Sequence, residues 1–197
     1  SPGNPSIALE SLLTHLAAGD RSAQLSDLAG GLSGEGAGFG AALLAAADGD
    51  LATAERNLAR SPQPAHDLMR AVVLLAKGEG HRALPPLERS VADNSLPNLA
   101  RSYAGFYLGV AHVRRRQLPP AAHAFEEALE LGLPQELARE HLVWTYNQLV
   151  IDAVLNGKLA DAADWLSKLV ALGGTEAAAA RQNVAYVLSL LGQERAR

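Results

Sequence analysis

The sequence predicts an all-α fold built from antiparallel helical hairpins. Three observations carry this reading. Apolar residues recur at helical rather than strand spacing, as in Leu9, Leu12, Leu13 and Leu16, and again in Leu68, Val72, Leu75 and Ala76. Ala and Leu, the strongest helix formers, dominate an apolar fraction of 48%, while aromatics make up only 5%. Gly and Pro fall in short groups between the periodic stretches, where they end one helix and start the next. A chain of 197 residues has room for about five such hairpins.

Taken in order, residues 1–5 (SPGNP) read as a disordered lead, and residues 6–197 as one helical domain. Helices over 6–18 and 21–29 form a degenerate N-terminal hairpin or cap within 6–31. Residues 30–40, GGLSGEGAGFG, hold six glycines. No Gly-Lys-Ser/Thr follows and no strand precedes, so this is a connection rather than a phosphate cradle. The next helices are predicted over 38–47 and 51–60, with Gly49-Asp50 between them and Ser61-Pro62-Gln63-Pro64 after them. A helix over 65–77 turns at Gly78-Glu79-Gly80. Its partner is expected to start near Leu84 and end by Asp93, because Pro85 and Pro86 fit a first helical turn but not an interior.

The remaining chain is more regular. Pro97 opens a long helix to about residue 116, and Pro119-Pro120 start a partner that ends at Gly132. Pro134 opens another long helix over 135–156, and its partner covers 159–172. Gly173-Gly174 end that pair, Thr175 is the expected N-cap of a last helix over 176–191, and Gly192 is expected to close it.

Residues 101–133 organise the reading. Ala121, Phe125 and Ala128 recur at i, i+4 and i+7 on one helix, opposite Leu108 and Gly109 on the other. Gly109 and Ala121 lack bulk, so the two helices can approach closely while Phe125 fills the space beside them. In type and spacing these five residues match the Leu-Gly, Ala, aromatic, Ala pattern of the tetratricopeptide repeat, and the chain resembles that family. The Ala that begins each second helix recurs at 54, 83, 121 and 162. The steps are 29, 38 and 41 against an ideal of about 34, and longer first helices can absorb the excess in whole turns. On this basis 38–93 holds two divergent repeats, 97–172 two clear ones, and 175–197 a C-terminal helix or partial repeat. The resemblance implies a right-handed α-solenoid of antiparallel hairpins that binds proteins, without catalysis, cofactor or metal. The segment ARQNVAYVLSLLG looks most like bacterial pilus-assembly and secretion scaffolds.

Composition narrows the partners. A net charge of −4 argues against nucleic acid, which asks for a basic face. No stretch has the apolar length of a transmembrane helix. There is no cysteine, so disulfides and thiolate metal sites are excluded. Arg outnumbers Lys 14 to 3, which suits a GC-rich bacterial genome, and the expected compartment is a bacterial cytoplasm or periplasm. The chain starts at Ser1 rather than Met, consistent with removal of a targeting segment.

No residue pattern points to catalysis. The serines, such as Ser61 and Ser95, sit in turns or at helix starts, and none occupies a nucleophile elbow. His112 and His123 flank the Pro-Pro turn without a His-Glu-x-x-His pattern, and His141 has no second ligand one turn on. Arg114, Arg115 and Arg116 form a basic run at a helix C-terminus, where the helix dipole favours positive charge. Glu126, Glu127 and Glu130 read as a solvated face.

The stronger constellation is a stripe on the first helices of the hairpins, which line a concave wall in such arrays. Periodicity places Phe39 and Leu43, Leu68 and Val72, then Tyr103, Phe106, Val110 and Arg114 there. Trp144, Asn147 and Ile151 follow, then Gln182, Asn183 and Tyr186. For Phe39 and Tyr186 the pattern fits core and groove equally, while Tyr103, Phe106 and Trp144 fit the groove better. The expected function is a non-enzymatic scaffold that holds a peptide segment of a partner protein in this groove. The alternative is a self-associating structural module (a homo-oligomer) or a regulatory part of a larger polypeptide.

Overall fold

A computed structural model of the chain describes residues 37–60 and 64–195. The hairpin expected over 6–31 lies outside the described residues. Among those described there are nine α-helices and no strand: α1 (Ala37–Ala47), α2 (Leu51–Ala59), α3 (Pro64–Ala76), α4 (Gly80–Ala92), α5 (Asn98–Arg114), α6 (Leu118–Glu130), α7 (Gln135–Leu155), α8 (Leu159–Ala171) and α9 (Gly174–Arg195). Each helix packs on the next in the chain, and the first helices of successive hairpins, α3 with α5 and α5 with α7, also touch. No described helix is long and apolar enough to cross a membrane.

The recurring alanines hold the hairpins together. Ala54, Ala83, Ala121 and Ala162 are each fully buried, and so, to within 2%, are the large residues one turn on: Leu58, Leu87, Phe125 and Leu166. Alanine at the contact lets the backbones of a hairpin approach, and the larger side chain seals the gap. The uneven repeat steps have a visible cause. The first helices lengthen along the chain, from 11 to 13, 17 and 21 residues in α1, α3, α5 and α7. Among the second helices α2 has 9 residues where α4, α6 and α8 have 13, so the step of 29 reflects a short α2 as well as a short α3.

Five helix ends share one turn, in which an amide bonds back five residues to a carbonyl: Asp50 to Ala45, Glu79 to Leu74, Gln117 to His112, Leu133 to Ala128 and Lys158 to Ala153, at 2.8–3.0 Å. This geometry needs a residue in the left-handed region just before the bonding amide. Glycine supplies it at Gly49, Gly78, Gly132 and Gly157. After α5 the position is Arg116, at φ 59°, where a side chain costs about 1–2 kcal/mol.

Arginine side chains finish several helix ends. Arg101 donates from Nε to the Val91 carbonyl (2.8 Å), and Arg114 from Nη1 to the Leu75 carbonyl (2.6 Å). Arg139 donates to the carbonyls of Leu172 (2.6 Å) and Gly173 (2.7 Å). Each reaches a carbonyl at or just past a helix end, and the Leu75 carbonyl also accepts from the Gly78 amide (3.0 Å). The buried hydroxyls of Ser90, Ser102 and Thr145 donate to the carbonyls of Pro86, Leu99 and His141 in their own helices.

Two helices differ from the sequence reading by more than two residues at an end. α4 starts at Gly80, four residues before Leu84, and contains Pro85 and Pro86 in its interior. The prolines cannot donate to the carbonyls of His81 and Arg82, but both of those residues are exposed and water can serve them. Burial of Ala83, Leu87, Ser90 and Val91 against the neighbouring helices outweighs the local penalty. α9 begins at Gly174, so Thr175 is a helical residue and not the N-cap, and it runs through Gly192 to Arg195. A lone glycine with open space around it lowers helix propensity without ending the helix.

Candidate functional site

The predicted groove residues divide into three groups. Phe39, Leu43 and Leu68 are core residues with 0–2% exposure. Phe39 lies edge-on to the ring of His66 at 5.4 Å between centroids, so neither it nor Leu68 can reach a partner. This corrects their placement on an open wall. Tyr103 is also buried, at 5%. Phe106 is half-buried and its ring meets Tyr107 (5.4 Å), Phe125 (5.8 Å) and His141 (5.2 Å), so its contacts run across the α5–α6–α7 junction. Val72 and Val110 are half-buried beside the same core. The guanidinium of Arg114 is spoken for by the Leu75 carbonyl. The physical reason for the covered apolar residues is that first helices touch: α3 meets α5 and α5 meets α7, and the Phe39 ring of α1 meets His66 of α3, so a face that looks outward from one hairpin is covered by the next.

The third group is open. Trp144 is 46% exposed, Ile151 49% and Tyr186 65%, and Asn147, Gln182 and Asn183 are exposed as well. On α7 the structure adds residues that periodicity missed: Leu137, Val154 and Leu155, the last at 79%. Leu137, Trp144, Ile151 and Leu155 are spaced by 7, 7 and 4 residues. Seven residues fall about 20° short of two turns, so all four share one narrow face. The stripe runs about 27 Å along the helix, from 18 residues at about 1.5 Å each. The opposite face of α7 buries Ala138, Leu142, Tyr146, Leu149 and Ala153. A helix apolar on two faces is the signal that could have revealed the stripe, because the fold needs only one.

The surroundings of this stripe are mildly acidic. Glu136, Glu140 and Asp152 are exposed on α7, while Arg139 is turned to the end of α8. His141, between the rings of Phe106 and Phe125, is held below the ordinary histidine range by burial, which Glu140 partly offsets. Behind Tyr146 a polar knot ties α6, α7 and α8. Tyr146 donates its hydroxyl to Glu126 Oε1 (2.7 Å), and Lys168 Nζ donates to the same oxygen (2.7 Å). Burial and that carboxylate raise the Tyr146 phenol far above its ordinary range. His112 meets the Gln117 side chain through Nδ1 at 2.9 Å, and His123 is exposed.

Comparison with known proteins returns no match among family models, curated proteins or solved structures.

Proposed function

We propose that the chain is a non-enzymatic, peptide-binding scaffold of the tetratricopeptide type, a right-handed α-solenoid whose working surface is the exposed stripe of α7 with Tyr186, Gln182 and Asn183 of α9. One observation carries the reading. α7 exposes Leu137, Trp144, Ile151 and Leu155 in a row although its other face already packs the core. Apolar side chains left exposed together on one face mark interaction sites. Aromatic anchors such as Trp144 are where binding energy concentrates, and truncation of one costs about 2 kcal/mol or more, roughly thirtyfold in affinity. The fit of Phe125 against Gly109 and the four buried alanines supports the repeat type. The net charge of −4 supports a protein rather than a nucleic-acid partner.

The test is a selection of displayed random peptides on the chain, with counter-selection on Ile151→Ala and Trp144→Ala proteins. Enriched peptides should carry spaced apolar residues and lose at least about tenfold in affinity on either variant. Peptides that bind the variants as well as the parent would sink the proposal. Sedimentation equilibrium addresses self-association. A concentration-dependent dimer that dissociates on Trp144→Ala would assign the stripe to a second copy of the chain.

A further inference from the structure

A second open feature adjoins the C-terminal end of the α7 stripe, where Asp152 flanks both. A cleft of about 460 Å³ is formed where the α5–α6 and α7–α8 turns meet the flank of α8. Its volume is within the range of small-molecule sites, about 300–1,000 Å³. Its lining is unusual in charge. Arg116 and Lys158 contribute two cations, and Asp152, Asp161 and Asp164 contribute three carboxylates. Among the described residues, none of these five side chains takes part in an ion pair or hydrogen bond. Lys168, also in the cleft, is already neutralised by Glu126 and lies 4.9 Å from the centre of the Trp165 ring, which forms an apolar wall.

Two of these residues are locally unfavourable where they stand. Arg116 takes the left-handed position that glycine takes at four equivalent turns. Lys158 occupies the N-cap of α8, where a positive charge opposes the helix dipole and the side chain makes no capping bond. Both departures put a free cation on the cleft, and an observed departure of this kind is grounds for a functional hypothesis. Opposite charges that share a cleft without pairing remain available to a ligand that carries both.

We infer that the cleft binds a small zwitterion with a basic side chain, its carboxylate on Arg116 and Lys158 and its cationic groups on Asp152, Asp161 and Asp164. The free lining charges sum to −1, and free arginine, with two cations and one carboxylate, is +1. Guanidinium and carboxylate also pair in fork geometry at both ends, since Arg116 offers that fork to the ligand's carboxylate. A free amino acid and the basic C-terminal residue of a peptide present the same carboxylate and side chain, so both are tested.

The experiment is a titration of the ¹⁵N-labelled chain, followed by the indole N–H signals of Trp165 and Trp144. The probes are L-arginine, L-arginine methyl ester, and an N-acetylated tetrapeptide ending in arginine with a free carboxylate. L-Arginine or the tetrapeptide should shift the Trp165 signal saturably and leave Trp144 in place, and whichever binds more tightly identifies the source. The methyl ester should bind at least about tenfold more weakly than L-arginine. Arg116→Gly should weaken binding by a similar factor while the urea midpoint stays level or rises, because glycine relieves the turn. Asp164→Asn should weaken binding as well. No Trp165 shift with either carboxylate probe, equal binding of the ester, or unchanged affinity in Arg116→Gly would each overturn the inference. Binding to the cleft is read at Trp165, and Trp144 of the α7 stripe serves only as the unshifted control, so failure here leaves the scaffold proposal standing, and the reverse also holds.

Discussion

Gly109→Ala adds a single methyl group at the tightest contact of the α5–α6 hairpin. A Cβ at this position would lie 2.5, 2.6 and 2.8 Å from Cε1, Cδ1 and Cζ of Phe125. Carbon atoms rest at about 3.5–4.0 Å, so the shortfall is about 1 Å. The ring has nowhere to go: Phe125 has no exposed surface, His141 stacks on it at 5.3 Å and Phe106 lies at 5.8 Å. The two helices must separate instead. Overpacking of a tight core costs about 1–3 kcal/mol, and a rigid aromatic obstacle places this site in the upper half of that range. Alanine returns about 1 kcal/mol through its higher helix propensity, leaving a net loss of about 1–2 kcal/mol. Gly192→Ala is the internal control. It makes the same chemical change inside α9 with nothing within 4 Å, so it should be neutral or stabilising by up to about 1 kcal/mol. Urea unfolding followed by far-ultraviolet circular dichroism measures both. A Gly109→Ala protein as stable as the parent would refute the close-approach account of the hairpin.

Phe125→Ala should cost about 3–5 kcal/mol, because it empties the site between α5, α6 and α7. Hydrogen exchange should show the loss first in those helices, since each packs chiefly on its neighbours in the chain. Lowering the pH below about 6.5 should destabilise the chain through His66 and His141. Burial holds both below the ordinary histidine pKa, and both ring nitrogens of His66 lack partners. The charges beside them, Asp67 (itself paired with Arg89) and Glu140, only partly offset this. The unfolded chain therefore takes up more protons than the folded one as pH falls through the ordinary value. Stability is complete above that value and is lost progressively towards the depressed folded pKa values. Urea midpoints at a series of pH values check this, and a profile unchanged by His66→Leu would show that His66 plays no part. The carboxylates Glu55 and Glu79, lowered by Lys77 and Arg82, act in a separate and more acidic window.

Much of the fold could be read from residue spacing, and the reason is visible at particular positions. Ala54, Ala83, Ala121 and Ala162 were legible because a close helix contact tolerates almost nothing larger, so the requirement is written in residue size. Gly78, Gly132 and Gly157 marked helix ends because the left-handed turn is written in backbone freedom. Arg116 occupies the same turn without that marker, and the sequence offers no sign of it. Pro85 and Pro86 misled in the other direction, since burial on both sides of them outweighs a local penalty. The site was harder to read than the fold. Periodicity assigns a residue to a helix face but does not say whether a neighbouring helix covers it. Phe39, Leu68 and Tyr103 lie on covered faces, whereas Trp144 and Ile151 lie on an open one. Leu137 and Leu155 escaped notice because α7 is apolar on both sides, which blurs the single-stripe pattern.

Whether α7 holds its stripe for a partner or for the fold is tested most directly by the urea midpoint of Trp144→Ala, read beside that of Phe125→Ala. Trp144 is 46% exposed and Phe125 is not exposed at all. If the stripe is a binding face, Trp144→Ala should lose less than about 1 kcal/mol while Phe125→Ala loses about 3–5 kcal/mol. A loss at Trp144 equal to that at Phe125 would make the indole part of the core and remove the main support for a binding surface on α7.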